Sequence, residues 1–561
     1  MTNSWWKESV VYQIYPKSFQ DSDCDGIGDI RGIIDRLEYI KKLGVNVIWI
    51  CPIYQSPMDD GGYDISDYYT IDEMFGTNKD FDELLEKANQ MGIKILMDLV
   101  VNHTSDEHAW FQEALRNPES NYRDFYIFKE GIDGNPPNNW RSYFGGSAWA
   151  AVPNEENMYY LHAFTQKQPD LNWENEEVRE KIYEMINYWL DKGLGGFRID
   201  AILNIKKQME YGMFEADGED GLVFIGHWIL NKPGIEVWLN EMQDRIFKPH
   251  NSMTVAEANV PSERLAEYIG ENGYYSMVFD FSYADIDVPE TGEWFKPTNW
   301  TWSEMRHKIF SSQVTTQDNG WGALYLENHD QPRSINKYIP EEHINDYSKK
   351  MLATLFMLLK GTPFIYQGQE LGMTNIKMES IDDFDDVATH SQYNRAVNYG
   401  LEPTEALAMV NKRSRDNSRT PMQWNQEKNA GFSKSDQTWL KVNPNYREIN
   451  AEKQDKDAAS VLNHYRQLIE LRQRSIYKEV LVYGELVPIE TANDQLMLYE
   501  RRLGEKRILV VLNLSEKIQQ HQVSESFNQL LLSNYEVTSL NKSGDICLRP
   551  FESIVLSNNG G

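Results

Sequence analysis

Short apolar runs alternate with amphipathic stretches over most of the chain. The runs are VVYQIYP (10–16), VNVIWIC (45–51), KILMDLVV (94–101), GGFRID (195–200), MTVAE (253–257), SMVFDF (276–281), GALYLEN (322–328) and TPFIYQG (362–368). They are short, and rich in β-branched and aromatic residues, which predicts strands. Few show strict apolar–polar alternation, so they read as strands of a parallel sheet buried on both faces. The segments IRGIIDRLEYIKKLG (30–44), KDFDELLEKANQMG (79–92), ENEEVREKIYEMINYWLDKG (174–193) and INDYSKKMLATLFMLLKG (344–361) read as helices. Several end in Gly after a basic or apolar last turn, a helix stop signal. Eight strand–helix units predict an α/β fold, a parallel (β/α)8 TIM barrel.

Two regions break this alternation. After the third run, residues 104–170 are rich in Asn, Pro, Gly and aromatics, too long for a structureless loop. They are predicted to form a small inserted domain on the face where the strands end. From 475 to 561, EVLVYGELVPI, QLMLYERRL, RILVVLNLS and CLRPFESIVLS are strand-like runs separated by turn residues. They predict an antiparallel C-terminal β-sandwich. The barrel is left with residues 1–103 and 171–474.

Composition narrows the partners. A formal net charge of −31 leaves no broad basic surface for nucleic acid or an anionic membrane. Cys24, Cys51 and Cys547 do not make a disulfide framework, and no signal segment or apolar span is evident. A cytoplasmic protein, monomer or homodimer, is expected, and the charge mildly disfavours strongly anionic substrates.

Function in such a barrel collects at the carboxyl ends of the strands. Asp98 lies in the third run and Asn102 and His103 follow it, Arg198 and Asp200 end the fourth, Glu257 ends the fifth, and His329 and Asp330 follow the seventh. A single Asp at a strand end is more simply a helix cap or an ion-pair partner. Three acids, 57 and 73 residues apart, brought together with an Arg and two His suit glycosidic cleavage through an oxocarbenium-like state. Arg198 points to the same face as Asp200, two residues on, and is expected to hold it ionised with a lowered pKa. Glu257, in the apolar TVAEA with no adjacent cation, is expected to keep its proton as a general acid.

A second motif, DSDCDGIGD (21–29), puts Asp21, Asp23, Asp25 and Asp29 on a tightly turning loop. The plain reading is a solvated acidic loop. Four carboxylates so close repel without a cation, and hard oxygens suit Ca2+ or Mg2+. The pair His103 and His108 lacks a helix carrying both ligands, so zinc is not expected. Met351 and Met357 read as helix core. Trp140, Phe144 and Trp149 are expected at a pocket rim.

In order along the chain, WWKESVVYQIYPKSFQDSDCDGIGD, DLVVNHTS, QPDLNWEN, GGFRIDAI, AEAN, ENHDQPR, GTPFIYQGQELGM and SRDNSRTPMQW resemble the α-amylase family, glycoside hydrolase family 13, in its oligo-1,6-glucosidase and α-glucosidase branch. The resemblance spans essentially the whole chain. It implies Asp200 as nucleophile, Glu257 as acid/base and Asp330 as transition-state stabiliser. It also implies a −1 glucose pocket lined by Asp60, Tyr63, His103, Phe164, Gln168, Arg198, His329 and Arg415, with Arg419 a near neighbour of the last. One Ca2+ is implied at the acidic loop, with Ile27 giving its carbonyl; no organic cofactor is implied. In this branch Val after the nucleophile accompanies α-1,6 preference, and Ala or Thr accompanies α-1,4. Here Ala201 and Asn259 favour α-1,4, so a retaining exo-α-glucosidase on maltose and short malto-oligosaccharides is expected. The alternatives are an oligo-1,6-glucosidase, a trehalose-6-phosphate hydrolase, a transglucosylase, or a catalytically dead transporter subunit on the same barrel.

Overall fold

The computed structural model describes residues 4–218, 220–289, 292–296, 298–536 and 544–558. The predicted limits at 1 and 561 lie outside the described residues. All eight predicted runs form strands of one parallel sheet: β1 (Val11–Ile14), β2 (Val47–Ile50), β3 (Lys94–Val100), β4 (Gly196–Asp200), β5 (Met253–Ala256), β6 (Met277–Val278), β7 (Ala323–Leu324) and β8 (Thr362–Tyr366). The order β6-β5-β4-β3-β2-β1-β8-β7 is that of a barrel, and a parallel bridge from Phe279 to Ala323 closes β6 onto β7. The strands from β1 to β5 and β8 are buried along almost their whole length, which explains why their sequences run apolar rather than alternate.

The helices start where capping residues stand. Thr77 and Asp80 make a reciprocal capping box for the helix Asn78–Gln90, and Asn175 caps Glu176–Asp191. The segment 30–44 is two helices, Ile30–Asp35 and Leu37–Leu43, broken at Arg36. Gly44, at φ 105°, ends the second in the left-handed region. Sequence reading did not pick out the helices Val387–Tyr399 and Pro403–Arg413, which follow β8.

Residues 128–161 carry a three-stranded antiparallel sheet. Beside it, the short strand Trp140–Arg141 pairs with Val223–Phe224 from beyond β4. Trp140, Trp149, Leu161, Val223, Ile225 and Ile229 share one apolar core. The inserted region therefore depends on Met209, Phe214 and residues 223–229, which its own sequence gives no hint of.

The C-terminal part has a five-stranded antiparallel sheet and a two-stranded one, with Leu496, Val511, Ile546 and Leu556 packed between them. The other face of the larger sheet joins the barrel core through Met497, Tyr499, Val510 and Val555. Among the described residues no helix is long and apolar enough to cross a membrane.

Candidate active site

Parallel pairing sets Arg198 of β4 directly beside Asp98 of β3. Arg198 is buried, and its guanidinium serves three acids at once. Its Nη1 donates to Asp98 Oδ1 at 2.6 Å and Asp200 Oδ1 at 2.7 Å; its Nη2 donates to Glu257 Oε2 at 2.7 Å. Trp49 Nε1 holds the other oxygen of Asp98 at 2.8 Å. Asp200 and Glu257, separated by 57 residues, thus share one cation.

Burial pushes all three carboxyls up, and Arg198 opposes it without winning. Asp98 and Asp200 rise to about 6, and Glu257 to about 7. The charges of Asp200 and Asp330 add to the rise at Glu257, and a hydrogen bond between Glu257 and Asp200 favours the proton on Glu257. This corrects two expectations. Asp200 is not held low by Arg198, because burial outweighs a guanidinium shared among three acids. Glu257 does have a cation beside it, because the Arg fork spans from β4 to β5.

Asp330 behaves oppositely. Burial raises it, but His329 Nε2 at 3.0 Å, Arg415 Nη1 at 3.1 Å and Arg419 Nη2 at 2.9 Å hold it well below the usual carboxylate range. Arg415 and its near neighbour Arg419 therefore both reach Asp330. Arg415 Nη2 also reaches Asp60 at 3.2 Å and Asp386 at 2.6 Å. Asp386 caps the helix Val387–Tyr399, so one carboxylate starts that helix and anchors the pocket.

The remaining predicted residues converge here. Gln168 Nε2 lies 3.3 Å from Asp60 Oδ2 and 3.1 Å from His103 Nε2. Tyr63 stacks on His329, with ring centres 5.5 Å apart. Phe164 packs on His103 and Tyr143 at 5.0 and 4.9 Å. Phe144 lies under the Arg415 guanidinium at the rim, and its carbonyl accepts a 2.7 Å bond from Ser391, 247 residues away. Trp140 and Trp149 do not reach the rim; both are buried in the inserted region's core. His108 caps the helix Ala109–Arg116 through Nδ1. Met351 and Met357 are core, as expected.

Sequence reading missed a buried pair beneath the pocket. Lys207 Nζ lies 3.2 Å from Asp170 Oδ2 and donates to Asn102 Oδ1 at 3.0 Å. This ties the segment bearing Phe164 and Gln168 to the turn after Asp200. A lysine in ILNIKK carries no local sign of such burial. Ala201 sits in the left-handed region at φ 40°, and its N–H faces Glu257 Oε2 at 3.4 Å.

At the acidic loop, oxygens of Asp21, Asp23 and Asp29 lie within 4.8 Å of one another. Asp29 also caps the first barrel helix through Gly32 N, and Asp25 Oδ1 accepts the N–H of Ile27. Burial raises Asp25 and Asp29, and the surrounding acids raise them further. Converging hard oxygens under mutual repulsion fit a divalent cation.

Residues 13–484 match the family described as alpha amylase, catalytic domain, and 496–555 match the alpha-amylase SusG C-terminal domain. An oligo-1,6-glucosidase from Halalkalibacterium halodurans is 44% identical over 564 residues, covering 99% of each chain. The solved trehalose-6-phosphate hydrolase of Bacillus licheniformis is 42% identical, with a TM-score of 0.90 over 99% of this chain and 100% of that one. The isomaltulose synthase of Klebsiella sp. LX3 is 37% identical with a TM-score of 0.93, over 99% and 100% respectively. With the family matched across the barrel and relatives aligned end to end, the chain belongs to the α-amylase family and is a glycoside hydrolase.

Proposed function

We propose that this hydrolase is a retaining, exo-acting glucosidase that removes a terminal α-glucosyl unit from short α-1,6-linked oligosaccharides. The observation that carries the chemistry is the shared grip of Arg198 on Asp200 and Glu257, with the proton on Glu257. Two carboxyls that hydrogen-bond each other suit a retaining pair; an inverting pair leaves about 6.5–9.5 Å for a water. Asp200 attacks the anomeric carbon while Glu257 gives its proton to the leaving oxygen, forming a β-glucosyl ester. Water then attacks the same carbon and gives its proton to Glu257, releasing α-glucose and free Asp200. Asp330, kept anionic by two arginines, stabilises the positive charge that develops on the sugar ring. The Asp60–Arg415–Asp386 ion pairs and the Phe144–Ser391 bond support a pocket closed at one end, hence exo action.

The linkage rests on the relatives, since several matched over 99% of this chain carry the name oligo-1,6-glucosidase. A second reading, α-1,4 hydrolysis, keeps the support of Ala201, whose small side chain changes the room beside the acid/base. One such methyl-scale difference is worth about 1–3 kcal/mol, enough to bias a ratio between linkages. A phosphorylated substrate has less support, because Arg415 and Arg419 are committed to Asp330, with Asp60 and Asp386 also on Arg415. Rates on isomaltose, maltose, sucrose and trehalose 6-phosphate decide among these. A kcat/KM on isomaltose about tenfold or more above maltose is expected, a gap of about 1.4 kcal/mol. A higher value on maltose would favour the α-1,4 reading instead. The acidic loop is assigned to one Ca2+ in a structural role, through the converging Asp21, Asp23 and Asp29, with Asp25 and the Ile27 carbonyl as the further ligands the family resemblance implies.

A further inference from the structure

We infer that Gln13, on β1, is a positioning residue that fixes which nitrogen of His329 carries the proton, and so the direction of the hydrogen bonds lining the pocket. The inference rests on the reading of Asp330 and His329 as pocket residues, and it begins at Asp330. That carboxylate lies against Arg415 Nη1 at 3.1 Å and Arg419 Nη2 at 2.9 Å, and is therefore anionic and an acceptor only. His329 Nε2 lies 3.0 Å from its other oxygen. A bare Nε2 would set two lone pairs against each other, so Nε2 carries a proton.

His329 is completely buried. Burial holds it neutral, with the positive charges of Arg198, Arg419 and Arg415 acting in the same direction and Asp330 against them. A neutral imidazole has one N–H, so Nδ1 is a bare acceptor. The group facing Nδ1 is the Gln13 amide, 2.8 Å away. Its NH2 must point at the ring, and the second hydrogen of that amide reaches Cys51 Sγ at 3.3 Å. Burial keeps the Cys51 thiol protonated, and its sulfur accepts.

The rest of the cage leaves the ring little freedom. Tyr63 stacks on it with ring centres 5.5 Å apart and Tyr15 at 6.1 Å, while Trp49 meets it edge to face at 5.9 Å. The Tyr63 hydroxyl lies 2.6 Å from Nε2 and 3.4 Å from Asp98 Oδ2. Gln13 thus starts a chain of bonds with one direction, through His329 to Tyr63, with Asp330 lying against the same Nε2, and on to the Asp98 that shares Arg198 with both Asp200 and Glu257. Gln13 touches none of the reacting acids itself.

The test uses the full-length enzyme labelled with 15N at its eleven histidines, with His329→Gln assigning the His329 signals. The wild type is expected to show a protonated Nε2 and a hydrogen-bonded, unprotonated Nδ1. Gln13→Glu replaces the donor by an acceptor, and Nδ1 should then carry a proton. Gln13→Met, close in size and without a donor, should move the Nδ1 signal and lower kcat about 10- to 100-fold with KM changed less, the scale seen when an outer partner that orients a functional histidine is lost. A protonated Nδ1 in the wild type overturns the inference. So does Gln13→Met with unchanged His329 signals and kcat within twofold, a result that would leave the Asp200–Glu257 mechanism standing. Should Gln13→Glu not fold, the wild-type and Gln13→Met spectra still decide the matter.

Discussion

Asp200 and Glu257 are both raised acids, and their order predicts the pH response. Asp200 must be ionised to attack and Glu257 protonated to assist. Activity on a neutral substrate should therefore fall below about pH 6 and again above about pH 7, a narrow bell in kcat/KM. Glu257→Gln should remove the basic limb and lower kcat about 10²- to 10⁴-fold. Both groups also hold their protons more tightly folded than unfolded. From an ordinary value of 4.5 to about 7, the folded Glu257 binds more protons than the unfolded one, so stability falls as pH rises through that window. Glu257→Gln should then gain on the order of 1 kcal/mol over wild type at pH 8, and less at pH 5, by urea unfolding. At Ala201 the backbone itself resists change. A β-branched residue at φ 40° costs about 1–3 kcal/mol. Ala201→Val should lower the melting temperature and shift the isomaltose-to-maltose ratio toward isomaltose; an unmoved ratio removes Ala201 as a linkage determinant.

The strands were legible because β1 to β8 are buried, and burial writes itself into sequence as short apolar runs. The helices Val387–Tyr399 and Pro403–Arg413 were not, because they do not repeat a clear amphipathic period. The cost of missing them was Asp386, whose use depends on Arg415 meeting it across the pocket. Trp140 and Trp149 were misplaced for a related reason. An aromatic in a polar stretch looks exposed until a distant partner covers it, here the segment bearing Val223 and Ile225. The acidic loop shows the reverse case, where spacing alone brought three Asp side chains together. If it holds Ca2+, EDTA should lower the melting temperature and added Ca2+ restore it, by about 2.7 kcal/mol at 100 times the dissociation constant. Indifference to both would remove the cation from the loop.

The barrel and the C-terminal sheets are joined through buried arginines rather than apolar contact alone. Arg501 is fully buried and donates to the carbonyls of Leu358 at 2.9 Å, Leu359 at 3.1 Å, Leu481 at 2.7 Å and Gly484 at 2.9 Å. Arg472 donates to Leu481 and Gly361 beside it. These carbonyls close the ends of helices from the barrel and the connecting segment. Arg501→Met would take this donor from the buried carbonyls of Leu358, Leu359 and Gly484, at about 1–3 kcal/mol each, while Leu481 keeps Arg472. A large fall in the urea midpoint is expected with kcat unchanged at 25 °C; a midpoint within error of wild type would show that water replaces the guanidinium.

By itself the sequence determined the strands, their order, the acids at the strand ends and the family, because periodicity and spacing are local properties of a chain. The protonation states were decided only in three dimensions. Asp200 and Glu257 rise and Asp330 falls because of which cations reach which carboxylates across the barrel, and how deeply each is buried. Arg198 shows the difference. The sequence placed it beside Asp200, and the fold divided its charge among Asp98, Asp200 and Glu257, since field and desolvation depend on distance in space and not along the chain.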